Sequence, residues 1–159
     1  MIYKILIVED DKDLSTMYKI KFEKEGFEVL IADNGLDAVT LLTEFKPNVI
    51  LLDIMMPSMD GFETLRVIRN LAPSLSMKII MFSNLDSKED INKCMKLGAD
   101  AYLLKANTTP KDAVLKALEL IESTKILMDG FKIESEIRDA IKVCPHCLNE
   151  INIDLKLYK

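Results

Sequence analysis

The run Val49-Ile50-Leu51-Leu52, closed by Asp53 and then by Met56-Pro57, constrains this chain more than any other stretch. Unbroken apolar residues with β-branched members suit a strand buried on both faces, whereas a strand with one wet face alternates. Such a strand belongs inside a parallel sheet with helices on either side. Asp53 then falls at its carboxyl end, the edge of an open α/β sheet where ligands gather. Taken alone, that aspartate has an ordinary alternative, because Asp also ends strands and caps helices.

Short apolar runs of the same kind recur on both sides. Tyr3 to Val8 leads into Glu9-Asp10-Asp11, and Phe27 to Ala32 into an Asp33-Asn34-Gly35 turn. Met77 to Phe82 ends on Ser83-Asn84, and Ala101 to Leu104 ends on Lys105. Between them, apolar residues recur at helical spacing. Leu14, Met17, Tyr18 and Phe22 mark the first helix, stopped by Gly26; Ala38, Leu41, Leu42 and Phe45 mark the second, closed by Lys46-Pro47. Phe62, Leu65 and Ile68 mark the third, after Asp60-Gly61. The fourth opens at Ser87 with Asp90 reaching back as in a capping box, and stops at Leu97-Gly98. The fifth opens with Thr109 as N-cap, Pro110 at the first helical position and Asp112 at the third. Val114, Ala117, Leu118 and Ile121 supply its apolar face. Five strands alternating with five helices through short connections predict a doubly wound α/β domain over residues 1–122, with a five-stranded parallel sheet.

Composition narrows the setting. At 159 residues and 49% hydrophobic content the chain can bury one ordinary core and carry a small appendage. Its net charge of -5, without a basic tract, argues against direct nucleic-acid binding. No apolar run approaches the roughly 20 residues that span a bilayer, so no membrane partner is expected. The first residues begin a strand at once, and we expect no signal peptide. Three cysteines, two of them in a C-x-x-C, do not resemble a secreted disulfide framework, and the chain reads as cytoplasmic.

Residues 123–159 form a C-terminal extension of different pattern. Ile133, Ile137, Ala140 and Ile141 recur at helical spacing, then come Cys144-Pro145-His146-Cys147 and the alternating Ile151, Ile153, Leu155 and Leu157 of a short strand. Cys144 and Cys147 could supply two thiolates to Zn²⁺, but a closed site needs four ligands. The remaining donors are His146 and the distant Cys94, which we place in the core. A zinc site would then be shared between two chains, the alternatives being a redox pair or two ordinary thiols. The strand's apolar side would fold back on the domain, pair with its twin in a homodimer or receive a partner strand; self-association or a partner contact fits best.

With all strands parallel, their carboxyl ends share one edge, which collects Glu9, Asp10, Asp11, Asp53, Ser83 and Lys105. Two like charges about 4 Å apart repel by roughly 4 kcal/mol at the dielectric of a protein surface, so a proton or a cation must sit among these acids. Hard oxygen donors at few positions suit Mg²⁺. A lysine and a serine nearby suit an incoming phosphoryl group. Asp11 is better read as the cap of the first helix than as a ligand, and Met59 and Met77 as packing.

These residues, in this order and each at its own strand end, resemble the receiver domain of two-component response regulators. The resemblance covers residues 1 to about 122, includes the Met56-Pro57 turn and Asp60-Gly61, and implies the flavodoxin-like (βα)5 fold. It implies that Asp53 is the phosphoacceptor and nucleophile, supplied by a histidine kinase or a phosphotransfer protein. It implies Mg²⁺ held by Asp10, Asp53 and the Met55 carbonyl, with Glu9 acting through water. Lys105 would pair with Asp53 or the phosphoryl group. Ser83 would swing in as the switch hydroxyl, and Tyr102, otherwise an ordinary half-buried aromatic, would follow as the switch aromatic.

The pattern departs from the family at two places. Lys105 is followed by Ala106 where a cis proline is common; a cis bond without proline costs about 3–4 kcal/mol, so either a trans bond with a shifted loop or a strained cis bond is expected. Asn84 follows the switch hydroxyl where a small residue is frequent, and would shield the phosphoryl group or orient a hydrolytic water. The reading is a phosphorylation-activated switch, not an enzyme on a separate substrate, that signals to a downstream protein target through helix four, strand five and helix five. The alternative is a constitutive scaffold of the same fold acting through its tail. A metal-dependent hydrolase lacks a water-activating histidine near the acids.

Overall fold

Five strands form one sheet: β1 (Lys4–Val8), β2 (Glu28–Ala32), β3 (Val49–Leu52), β4 (Lys78–Ser83) and β5 (Ala101–Leu104). A computed structural model describes residues 2–71 and 77–123 of the chain, and Met1–Glu122 forms one compact unit within it. All four strand pairings are parallel, in the order β2-β1-β3-β4-β5. The helices between them are α1 (Lys12–Lys24), α2 (Gly35–Phe45), α3 (Gly61–Leu71) and α4 (Lys88–Lys96). A fifth, α5, is described over residues 110–123 and follows a 3-10 turn at Lys105–Asn107.

The central strand behaves as its composition dictates. Every residue of β3 is at most 1% exposed, because apolar residues of alternating direction meet a helix layer on each side. Leu6, Val8, Ile50, Leu52, Ile79 and Met81 pack with residues of α2, α3 and α4 on one face. Ile5, Ile7, Val49, Leu51, Ile80 and Phe82 pack with α1 and α5 on the other.

Helix ends carry the expected chemistry. Asp11 Oδ1 accepts from the amides of Asp13 and Leu14, each at 3.0 Å, so Asp11 does cap α1. Gly26, at φ +86°, takes the left-handed position just past the α1 cap, where a side chain would be strained. Thr109 and Asp112 form a reciprocal box: the Thr109 amide donates to Asp112 Oδ2 at 2.9 Å, and the Asp112 amide donates to Thr109 Oγ1 at 3.3 Å.

Three details differ from the sequence reading. Asn34, read as part of a turn, is the N-cap of α2, its Oδ1 accepting from the Asp37 amide at 2.9 Å. Met17, assigned to the buried stripe of α1, is 45% exposed, because Ser15, Tyr18 and Phe22 fill the face toward the sheet. Ser83, placed just past β4, is its last residue, since the ladder continues there to Leu104 of β5. The assignments made for the C-terminal extension, including Cys144 and Cys147, lie outside the described residues.

Candidate functional site

The strand order creates the site. The chain passes from β1 to β2 on one side and returns to β3 on the other, which opens a crevice between the carboxyl ends of β1 and β3. Glu9 follows β1 and Asp53 follows β3. Backbone ladders hold both: the Glu9 amide donates to the Ala32 carbonyl at 3.0 Å, and the Asp53 amide to the Val8 carbonyl at 2.9 Å.

Asp53 and Glu9 are each only 3% exposed, while Asp10 is exposed. The Lys105 ammonium lies between the two buried acids. It donates to Asp53 Oδ2 at 2.8 Å and stands 2.6 Å from Glu9 Oε2. The second contact is a close ion pair between two buried groups, bent away from ideal hydrogen-bond alignment. Asp53 Oδ1 is occupied from the backbone, by the Ile54 amide at 2.6 Å and the Met55 amide at 3.2 Å.

Burial pushes the Glu9 carboxyl above its ordinary value, and the nearby charge of Asp53 adds to this; Lys105 opposes it. Burial pulls Lys105 down, but the hydrogen bond to Asp53, the close contact with Glu9 and the charge of both acids outweigh that, so its pKa is raised. A lysine with a raised pKa stays an ammonium throughout the neutral range. It therefore stays paired with both acids across that range.

Among the described residues, oxygens of Glu9, Asp10 and Asp53 lie within 4.8 Å of one another, the one group of side chains close enough to share a metal ion. The donors are all hard oxygens, and three acids stand beside a single lysine. Both observations fit Mg²⁺.

Glycine sets the backbone behind Asp53. A Cβ on Gly61 would stand 2.1 Å from the Asp53 carbonyl oxygen and 2.6 Å from the Ile54 Cα. No side chain fits at that helix start, and the Gly61 amide donates to the Ile54 carbonyl at 2.9 Å. Asp60 completes the anchor, its Oδ1 accepting from the Glu63 amide at 2.8 Å.

Ser83 is fully buried, and its Oγ accepts a long 3.4 Å hydrogen bond from the Leu85 amide. The Tyr102 hydroxyl donates to the Leu85 carbonyl at 2.6 Å, so both side chains hold the backbone of the same residue after β4. Met55 is 62% exposed, which rules out packing as its role, and Asn84 is exposed beside Ser83. The Lys105–Ala106 bond is trans, as no cis peptide occurs among the described residues, and Lys105 opens the 3-10 turn. Cys94 is buried in α4, as expected of a core thiol.

Some partners escaped the sequence reading. The two amides on Asp53 Oδ1 belong to the turn itself, for which only the Asp-x-x-Met-Pro spacing gave a hint. Phe82, read as core, also lies beneath Lys105, its ring centroid 5.4 Å from the ammonium.

Comparison with known proteins agrees with this geometry. A family model described as the response regulator receiver domain matches residues 5–119. The receiver domain of a Francisella response regulator is 31% identical, with a TM-score of 0.71, over 77% of this chain and 98% of that one. A CheY-like receiver domain protein from Methanospirillum hungatei is 33% identical, with a TM-score of 0.73, over 79% and 98%. The beryllofluoride-activated N-terminal receiver domain of Klebsiella pneumoniae RstA is 29% identical, with a TM-score of 0.68, over 74% and 97%.

Proposed function

The chain belongs to the response regulator receiver domain family, and from that premise we propose that it is a switch thrown by phosphorylation of Asp53. Receiver domains bind Mg²⁺ at an acidic pocket and work with histidine kinases or phosphotransfer partners. The observation that carries the reading here is the Lys105 ammonium bridging two buried acids at the strand ends, 2.8 Å from Asp53 and 2.6 Å from Glu9. Two buried acids share a single cation there, which leaves negative charge in excess.

Asp53 is the nucleophile. With Oδ1 fixed by two amides, Oδ2 forms the new oxygen–phosphorus bond as the phosphorus–nitrogen bond of a donor phosphohistidine breaks, the imidazole leaving with the electron pair. Lys105 shifts from the carboxylates to a phosphoryl oxygen. Ser83 donates a hydrogen bond to another, and Tyr102, tied to Ser83 through Leu85, passes the change to the surface of α4, β5 and α5. Asp10, Asp53 and the Met55 carbonyl would hold Mg²⁺, with Glu9 acting through water. When bound, the ion offsets negative charge on the transferring group.

To move the population from 1:99 to 99:1, phosphorylation must favour the active state by about 5.5 kcal/mol. The output is a contact with a downstream protein. We place the domain boundary near residue 122, with the extension serving self-association or a partner contact. A zinc ion shared by Cys144 and Cys147 of two chains rests on their spacing alone; metal content of chelator-free protein, with Cys144→Ser as control, tests it. The scaffold alternative gains no support from the site.

Beryllofluoride with Mg²⁺ tests the main reading. Saturable binding that disappears in Asp53→Ala is expected. Absent or Asp53-independent binding would remove the switch and leave the scaffold.

A further inference from the structure

Tyr18 sits in the apolar stripe of α1 and is 2% exposed, yet its hydroxyl is committed to a partner 90 residues away. It donates to the Thr108 carbonyl at 2.9 Å. Thr108 directly follows the 3-10 turn that Lys105 opens. The Tyr18 ring also packs edge-on against Phe82, with centroids 4.8 Å apart and an interplanar angle of 60°. Phe82 is the ring beneath the Lys105 ammonium, 5.4 Å from its centroid. One side chain on α1 therefore holds both the backbone beyond Lys105 and the surface under its charge.

The loop needs such a tie. None of the turn's residues, Lys105, Ala106 and Asn107, is buried, and no side chain caps the turn. Without a proline at position 106, its backbone has no ring to restrict it. A long lysine side chain reaches two acids with correct geometry only if its Cα is fixed. We propose that Tyr18 is a positioning residue for phosphoryl transfer, its hydroxyl anchoring the Thr108 carbonyl so that Lys105 is held over Asp53 and Glu9.

Burial, with the charges of Asp112 and Glu9, pushes the Tyr18 hydroxyl up to about 12, so it remains a donor at any working pH. The inference rests on the receiver-domain reading of Asp53 and Lys105, and adds a residue outside the acceptor set. The ring alone would serve packing equally well as phenylalanine; the hydroxyl is what the proposal concerns.

Tyr18→Phe keeps the ring and removes the tie. Acetyl phosphate is the probe: an Asp53 oxygen bonds to phosphorus as acetate leaves with the electron pair. At saturating Mg²⁺, the maximal rate of Asp53 phosphorylation falls about five-fold in Tyr18→Phe, while the Mg²⁺ Kd stays within about two-fold. An unchanged rate, whatever happens to Tm, overturns the proposal. Equal losses in rate and Mg²⁺ affinity also overturn it, because they signal general damage. In a Lys105→Gln background the slower residual rate drops no further on adding Tyr18→Phe, since both act through one group; a second five-fold drop there overturns it. If the unaltered chain accepts no phosphoryl group with Mg²⁺, it is the receiver reading that fails.

Discussion

Two ionic clusters close the two ends of this sheet, and they follow opposite plans. At the amino ends of β4 and β5, one carboxylate meets two cations: Asp100 pairs with Arg69 at 2.6 Å and with Lys78 at 3.3 Å. Asp100 also accepts from the Ile79 amide at 2.8 Å, while Arg69 gives two further donors to the carbonyls of Gly98 and Met77. Both oxygens of that carboxylate are bonded, and the cluster fastens α3 to both strands. At the carboxyl ends, two buried acids share one lysine, and the exposed Asp10 stands close to both acids. A cluster with more acids than cations has negative charge left over for a further cation.

The contrast can be broken from either end. The largest effect is expected from Lys105→Gln, which removes a preorganised donor at the phosphoryl position and should slow Asp53 phosphorylation about 100-fold, measured with a small phosphodonor and Mg²⁺. Arg69→Ala should do the reverse. Loss of its hydrogen bonds costs about 2–3 kcal/mol and lowers Tm by roughly 10 °C, with phosphorylation measured well below Tm unchanged. A slowed reaction in Arg69→Ala would show that the two ends are coupled.

Gly61→Ala tests the backbone behind the acceptor. Its Cβ would collide with the Asp53 carbonyl at 2.1 Å, so the turn must shift. A stability loss of about 2 kcal/mol is expected. A calorimetric titration should also show Mg²⁺ affinity lowered about ten-fold, which a shift confined to α3 would not produce.

Glu9→Gln should have the smallest effect, and the opposite sign. Burial raises the folded-state pKa of Glu9 above its ordinary 4.5, so the native state holds its proton longer as pH rises and stability falls. At pH 7 in metal-free buffer the charged Glu9 is therefore a cost. Glu9→Gln should gain about 1 kcal/mol, roughly 4 °C in Tm. The gain should shrink as pH drops toward the ordinary carboxylate range. A gain that persists unchanged at low pH would point to a cause other than its charge.

Much of the domain was legible from the sequence because its signals are local. Apolar runs of strand length, caps at Asp11, Ser87 and Thr109, and the glycines after α1 and α4 each act within a few residues. Misreadings arose where neighbours decided the matter. Met17 lies on the helical stripe but beyond the width the sheet covers, and Asn34 looks like a turn residue until the helix after it is seen to begin at Gly35. Glu9, Asp53, Ser83 and Lys105 could be brought to one edge because each lies at a strand's carboxyl end, while Met55 and Tyr102 followed only from the family resemblance. The amides on Asp53 Oδ1, the ring under Lys105 and the Tyr18 tie had no pattern of their own in the sequence.

The sequence by itself determined the alternation of strands and helices, the burial of the central strand on both faces and the set of polar residues brought to one edge. Tertiary structure alone decided which of them touch. Lys105 and Asp53 are 52 residues apart, and Tyr18 and Thr108 are 90 apart. Such contacts depend on strand order and register, and a slip of one residue would turn every strand side chain to the opposite face. Local propensities cannot set that register; the packing of both faces of the sheet at once does.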